Sequence, residues 1–264
     1  MKKIGKFAAD LARVNAIITP DRDPETLTAI ERLELLHIYQ ASYHDGGKIE
    51  GCTSCDASAH GCEFCAKMRA AAQHDRTIIC GYCYDYSQEE YRPEVLQRHA
   101  LNLRIMKSVL FTVDELAALP LFTITRINSS GDLDNVTQAR NMLRIAKAHP
   151  HTPVAIWTKN VPAMEAALDA EGKPANVTLI RSSLRINQPD ELPPRFDYTF
   201  TCYATKADLA TALAMGAAEC NGKKCRECGY KCYYRAHQAT DIAEYIRCSK
   251  ADRAAITEAL AARN

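Results

Sequence analysis

The sequence predicts an α/β fold in which a parallel β/α sheet curls into a partial or full TIM-like barrel, with a C-terminal cysteine-rich cluster extension. Strand and helix patterns alternate with short connections, which is typical of parallel sheets. The length of 264 residues fits one large domain with a small appendage. We expect a barrel-like domain over residues 1–218, with an N-terminal helix and a cysteine-rich loop at 52–83. Residues 219–264 would form a cysteine-rich auxiliary-cluster segment and closing helices.

The N-terminal part of the chain predicts two helices and one strand. Apolar residues at helical spacing predict a helix over residues 24–43, which the Asp45-Gly46-Gly47 turn ends. Residues 48–54 are expected to form the first strand and to lead into the cysteines. A proline in the first turn indicates a second helix over residues 93–109.

From residue 121 onward the pattern alternates regularly. β-branched and aromatic runs predict strands, and periodic runs that begin near Asp, Lys or Pro predict helices. The predicted strands are 121–128, 153–158, 176–181 and 196–203, and the predicted helices are 136–148, 162–170 and 206–215. Residues 240–262 are expected to close the chain as one or two helices.

Composition and charge argue against some classes of function. The chain has 33 basic and 32 acidic residues, so its net charge of +1 gives no reason to expect general nucleic-acid binding. No apolar run approaches the length of a membrane span, and charges interrupt the N-terminal segment where a signal peptide would be apolar. We therefore expect a cytoplasmic protein without membrane contact, whose thiols stay reduced and favour metal binding over disulfides.

The first cysteine tract contains six cysteines with the spacing C-x2-C-x6-C-x2-C-x14-C-x2-C. Two interpretations are open. The last four cysteines would make a zinc knuckle, or three of them would hold an iron–sulfur cluster and leave one iron free for a ligand. The spacing alone does not separate these interpretations. The six residues are Cys52, Cys55, Cys62, Cys65, Cys80 and Cys83.

The second tract is more compact, with Cys220, Cys225, Cys228 and Cys232 inside thirteen residues. Such a run supplies four thiolates to one metal centre. An iron–sulfur cluster is favoured because the spacing is not that of a zinc ribbon, and zinc is the alternative. The remaining cysteines, at positions 202 and 248, are expected to pack as small apolar residues.

Polar residues follow successive predicted strands and would meet at one edge of the sheet. Ser129, Ser130, Gly131 and Asp132 form a small-residue turn with a carboxylate that can accept hydrogen bonds from an amino group. The alternative role of Asp132 or its neighbour Asp134 is to cap the next helix. Arg181 ends a later strand, where its guanidinium could hold a carboxylate.

These motifs, in this order, resemble radical S-adenosylmethionine enzymes and, more narrowly, the phage-associated gene product 88 family. The resemblance is carried by the Cys80–Tyr84 run, the Arg126–Asp132 run, the Trp157-Thr158-Lys159 and Tyr203-Ala-Thr205 segments, and the C-terminal cysteines. The first tract departs from the C-x3-C-x2-C signature of those enzymes, because fourteen residues separate Cys65 from Cys80.

The resemblance implies a set of cofactors and residue roles. Cys65, Cys80 and Cys83 would hold a 4Fe-4S cluster that cleaves S-adenosylmethionine reductively, and the C-terminal cysteines would hold an auxiliary cluster. Cys52, Cys55 and Cys62 are further candidate ligands, and would permit a third cluster. Asp132 would contact the methionine amino group, and Arg181 would contact its carboxylate or the substrate.

The expected partners are an electron-donor protein and an unknown substrate. Two other functions stay open at the level of sequence: a zinc-stabilised binding module and an iron–sulfur protein that only transfers electrons.

Overall fold

The computed structural model of the protein describes residues 2–121, 124–220 and 224–263, with side chains from residue 7 onward. Eight strands form one sheet in the order β1-β2-β3-β4-β5-β6-β8-β7. Among the described strands, only β1 runs antiparallel to its neighbour. The α/β class and the mostly parallel sheet are therefore confirmed, but the described strands leave the sheet open and do not close a TIM-like barrel. The strands are β1 Ser42–Tyr43, β2 Thr53–Cys55, β3 Thr125–Ile127, β4 Val154–Thr158, β5 Val177–Ser182, β6 Tyr198–Tyr203, β7 Ala218–Glu219 and β8 Asp241–Tyr245.

Ten α-helices of the described chain connect or flank these strands. They are α1 Lys2–Ile17, α2 Ala29–Ile38, α3 Glu63–His74, α4 Tyr84–Tyr91, α5 Pro93–Ser108, α6 Val113–Leu116, α7 Val136–Ala148, α8 Val161–Glu171, α9 Lys206–Ala214 and α10 Lys250–Ala261. Short 3-10 turns occupy Pro24–Thr26 and Ile79–Tyr82. No described helix has both the length and the apolar character needed to cross a membrane.

The elements between residues 125 and 214 match the predicted ones closely, although residues 122–123 of the first predicted strand there lie outside the described residues. The N-terminal region differs more. Helix α1 is absent from the predicted elements, and the helix predicted over 24–43 is limited to α2, because a capping box between Thr28 and Glu31 begins it. The strand predicted over 48–54 begins only at Thr53.

The helix predicted over residues 240–262 is wrong in its first part. Residues 241–245 form β8, which lies between β6 and β7 and pairs with β6 along its whole length. Sheet pairing overrides the weak local preference of this segment. The C-terminal cysteine tract therefore connects two strands of the same sheet, and only α10 fulfils the helical prediction.

The two faces of the sheet are covered differently. On one face, here called the helical face, Val154, Ile156 and Leu179 pack with apolar residues of α2, α5, α7 and α8. On the opposite face, here called the inner face, Ala155, Trp157 and Ile180 pack against the C-terminal cysteine segment. Alternation along each strand thus separates an ordinary helix-packed core from a face that carries cysteines.

The salt bridge between Arg32 and Glu115 predicts acid-sensitive stability. Two hydrogen bonds of 2.6 and 2.9 Å join α2 to α6, and hydrogen bonding from Arg32 lowers the pKa of Glu115 to about 2. Because the folded pKa lies below the unfolded value of about 4.3, this stability is present above about pH 4.3 and is lost as the pH falls towards about 2. Glu115→Gln should lower the free energy of unfolding at pH 7 by about 1–2 kcal/mol, after allowance for solvent screening.

Urea unfolding at pH 7 and near pH 2 measures this effect. The free energies of unfolding of the unsubstituted protein and of Glu115→Gln should differ at pH 7 and should converge near pH 2. Asp114→Asn is the matched control, because its side chain lies in an exposed position one residue earlier. An equal loss of stability in both variants at pH 7 would contradict the prediction.

Candidate functional site

The small-residue turn after β3 is fixed against the end of β2. Asp56 accepts hydrogen bonds from the Ser129 hydroxyl and from the Ser130 backbone N–H, the latter at 3.0 Å. Ser54 donates to the same carboxylate at 2.6 Å. Ser129 and Ser130 therefore hold the backbone in place, and the turn brings Gly131 to the carboxyl ends of the strands.

Asp132 joins the ends of β3 and β4. Its carboxylate accepts hydrogen bonds from the Leu133 N–H at 2.7 Å, the Thr158 hydroxyl at 2.5 Å and the Lys159 N–H at 3.0 Å. The following helix α7 is capped by Asn135 instead, so Asp132 is not a helix cap. Its carboxylate orders the strand ends and has little capacity left for further donors.

Three of the predicted ligands meet in one cavity, here called the thiol cavity. Cys65, Cys80 and Cys83 line about 80 Å³ of space together with Asp132 and Lys159. The cysteines come from α3, from the 3-10 turn that follows it, and from the residue that begins α4. The fourteen residues between Cys65 and Cys80 thus contain the rest of α3 and a short connection to the 3-10 turn, and all three cysteines still line one cavity.

Lys159 lines the thiol cavity together with another basic residue, Arg69. Burial alone would lower the pKa of its ammonium group, but Cys80 and Asp132 raise it above the usual value. Burial raises the pKa of Cys80 to about 11, and it raises the pKa of Asp85, which also lines the cavity, to about 7. Lys159 lowers the pKa of the cavity thiols, but burial outweighs its effect, so the neutral thiols are favoured. Metal binding would therefore have to release their protons.

The donor chemistry of the thiol cavity fits a thiolate-bound cluster. The ligand geometry is not preformed, since the described residues contain no group of three or more His, Cys, Asp or Glu side chains arranged to hold a metal ion. Binding of a cluster would therefore have to draw these thiols closer together.

The two other cysteines near this site have structural contacts. The Cys62 sulfur accepts a hydrogen bond from the Cys65 N–H at 3.2 Å and caps α3. Cys55 is buried on the helical face, where burial raises its pKa to about 12 and the Tyr39 hydroxyl contacts it. Neither residue lines the thiol cavity.

The C-terminal tract lies on the inner face of the sheet. Cys220, Cys225 and Cys232 pack against the same apolar cluster as Cys52. Burial and the nearby Cys220 raise the pKa of Cys232 to about 12. Cys228 is exposed, and its thiol donates to the Cys225 carbonyl at 3.1 Å. The predicted four-cysteine set is thus in one region, together with a cysteine from the first tract.

Arg181 does not join the thiol cavity. Its guanidinium contacts the Asp190 carboxylate at 3.2 Å and the Glu191 carbonyl at 3.0 Å. Side chains point to alternate faces along β5, so the neighbours Ile180 and Ser182 point away from the face of Arg181. Ile180 lies on the inner face. Arg181 therefore lies on the other side of the strand, and its charge serves a local ion pair.

Glu89, for which the sequence suggests no role, supports the loop beside the thiol cavity. This carboxylate is 1 % exposed as a residue and accepts hydrogen bonds from the Ser58 hydroxyl, the Ala59 and His60 N–H groups and the His99 ring. In the sequence, Glu89 is an acidic residue in a polar helix. Nothing there distinguishes it from a residue on the surface. Lys159 belongs to a motif that stands out in the sequence, but its burial among thiols is visible only in the structure.

Gly131 allows a close approach of two chain segments. Its φ is +73°, and a Cβ atom there would overlap the Ala57 carbonyl oxygen. Gly131→Ala should lower the free energy of unfolding by about 2–3 kcal/mol, because the clash adds to the left-handed backbone. Denaturant unfolding checks this value.

Gly172 provides the matched control for that substitution. Its φ is +70°, but no atom lies within 4 Å of the position that an added methyl group would take. Gly172→Ala should therefore cost only about 1–2 kcal/mol, from the backbone conformation alone. Equal losses in the two variants would show that the contact with Ala57 does not matter.

Comparison with known proteins shows to which family the chain belongs. No curated protein matches it, and no solved structure matches it. The family described as gene product 88 matches residues 16–254, which includes the thiol cavity, the small-residue turn and the C-terminal cysteine tract. The chain belongs to the gene product 88 family.

Proposed function

We propose that the protein is an iron–sulfur enzyme of the radical S-adenosylmethionine type. The observation that carries the proposal is the thiol cavity, where Cys65, Cys80 and Cys83 converge from separate elements beside Lys159. The cavity lies where β3 and β4 end, which is the usual position of active sites in parallel sheets.

Three thiolate ligands would hold a 4Fe-4S cluster and leave one iron free for S-adenosylmethionine. When bound, such a cluster would supply the electron for reductive cleavage of this cofactor. The turn from Ser129 to Asp132 would border the methionine part, as Gly131 and Asp132 line the cavity. Lys159 is better placed than Arg181 to hold a carboxylate, because Lys159 lines the cavity and Arg181 is paired elsewhere.

The C-terminal cysteines would form a second metal centre. Cys220, Cys225, Cys228 and Cys232 would hold an auxiliary cluster on the inner face. All twelve cysteines are free thiols, which agrees with a reducing cytoplasm. Reduction of the clusters would require an electron-donor protein.

A second candidate function has one specific observation in its favour. The Cys232 sulfur lies 3.3 Å from His237 Nε2, and mixed cysteine–histidine ligation is typical of structural zinc. A zinc-stabilised binding module would use this pair with Cys225 and Cys228. It would give the thiol cavity no catalytic role.

Incubation with S-adenosylmethionine and a strong reductant separates the two functions. The full chain, purified without oxygen and reconstituted with iron and sulfide, should form an adenosyl cleavage product. Omission of the reductant should stop the reaction. Absence of any product from chains that hold iron and sulfide would favour an electron carrier, and retention of zinc alone would favour the binding module.

A further inference from the structure

Cys52 and Cys55 belong to one C-x2-C pair in the sequence but face opposite sides of the sheet. Cys52 is completely buried and lies in the inner-face cluster, whereas Cys55 lies in the helical-face core. Residues three apart in an extended segment point in opposite directions. The pair therefore cannot bind one metal, and each cysteine has its own surroundings.

The segment that carries Cys52 is fastened to the C-terminal tract. The Cys225 N–H donates to the Lys48 carbonyl at 2.7 Å, and the Tyr230 hydroxyl donates to the Glu50 carbonyl at 3.1 Å. Lys224 also forms an ion pair with the Glu50 carboxylate at 2.5 Å. Residues 48–52 and 224–233 thus form one structural unit, although about 170 residues separate them in the sequence.

Within this unit the thiol of Cys52 faces the C-terminal cysteines. Its sulfur lies 3.8 Å from the hydroxyl of Tyr233, which belongs to the same apolar cluster. Cys220, Cys225 and Cys232 pack against the same apolar cluster. A buried thiol beside other thiols is a site at which a metal can gather ligands.

Arg126 supplies an independent sign of an anionic group at this place. Its guanidinium stacks on the Trp157 ring at 4.3 Å. Its buried Nε has no hydrogen-bond acceptor in the described part of the chain. Arg126 is partly buried, and a cationic group withdrawn from water is normally paired. A metal bound by four thiolates would carry negative charge that could pair with Arg126.

We propose that Cys52 is a metal ligand of the C-terminal centre, so that this centre joins both cysteine tracts. Cys52 would take the ligand position otherwise given to the exposed Cys228, and would bind together with other cysteines of the C-terminal tract such as Cys225 and Cys232. Arg126 would balance the charge of the thiolates. The inference rests on the part of the proposed function that gives this tract a metal. It holds for iron–sulfur and for zinc alike, because both use thiolate ligands.

Cobalt binding by the full chain tests this inference. The parent chain would carry serine at Cys65, Cys80 and Cys83, so that only the C-terminal centre binds Co²⁺ without oxygen. Absorbance from thiolate-to-cobalt charge transfer reports the number of sulfur ligands. Adding Cys52→Ser or Cys52→Ala should remove about a quarter of this absorbance, as one of four ligands is lost, and should weaken Co²⁺ binding roughly tenfold or more.

Cys55→Ser is the matched control, since Cys55 is equally buried three residues away. It should leave the absorbance and the affinity unchanged, and thermal unfolding of the metal-free chains reports any general loss of stability. Equal absorbance and affinity in the Cys52 and Cys55 variants would overturn the role of Cys52. Failure of the parent chain to bind Co²⁺ would overturn the metal centre itself.

Discussion

Cys80→Ser is expected to abolish S-adenosylmethionine cleavage and to remove the iron of the first centre. Cys80 lines the thiol cavity together with Cys65 and Cys83, so its loss leaves two thiols where three are needed. A serine hydroxyl has nearly the same size as a thiol but is a much harder ligand that iron–sulfur clusters bind poorly. Activity should fall to the level of a reaction without protein, while the iron of the C-terminal centre is retained.

The control for this prediction is Cys248→Ser. Cys248 is also partly buried, but it packs in a separate apolar cluster with residues such as Ile246 and Ile256. Iron content, sulfide content and cleavage product are measured for both variants after the same reconstitution. If Cys80→Ser cleaves S-adenosylmethionine as well as Cys248→Ser does, then the thiol cavity is not the reactive centre.

Glu89→Ala is expected to lower the free energy of unfolding by about 3–5 kcal/mol, which is the usual cost of breaking a buried charged network. The substitution would leave the Ala59 and His60 N–H groups without their acceptor and would remove the partner of the His99 ring. Each unsatisfied buried donor adds about 1–3 kcal/mol. The loop that borders the thiol cavity should loosen at the same time, so iron binding should weaken.

Glu90→Ala is the matched control for that substitution, because the next residue of α4 is exposed. Urea unfolding of both variants gives the comparison, with the slope of the transition checked for a change in the unfolded state. Glu90→Ala should change stability by less than about 0.5 kcal/mol. A loss below about 1 kcal/mol in Glu89→Ala would show that the network contributes little.

The central part of the fold is predictable from the sequence because its local signals and its tertiary contacts agree. Helix α7 has the bounds that its sequence predicts, since Asn135 caps it and its apolar residues recur at helical spacing. Strands β4 and β5 are rich in β-branched residues and are buried on both faces. By contrast, β8 is a five-residue segment whose strand character comes from pairing with β6, which no local pattern reveals.

The sequence predicts which kinds of residue form the candidate site better than it predicts which of them lie together in space. Cysteines and the small-residue turn stand out in the sequence, and the structure brings Cys65, Cys80 and Cys83 together with Gly131 and Asp132. Grouping cysteines by sequence distance fails for Cys52, because the face of the sheet decides which thiols meet. Lys159 lines the cavity and Arg181 does not, since alternation along β5 turns Arg181 away.

Iron and acid-labile sulfide content per chain, measured on the full-length protein purified without oxygen, tests the iron–sulfur assignment most directly. The proposed centres predict a brown protein with iron and sulfide in nearly equal amounts. The chain with serine at Cys65, Cys80 and Cys83 should lose the share of both that belongs to the first centre and should keep the share of the C-terminal centre. Stoichiometric zinc without sulfide, unchanged by that triple substitution, would contradict the iron–sulfur assignment and leave a zinc-stabilised binding module.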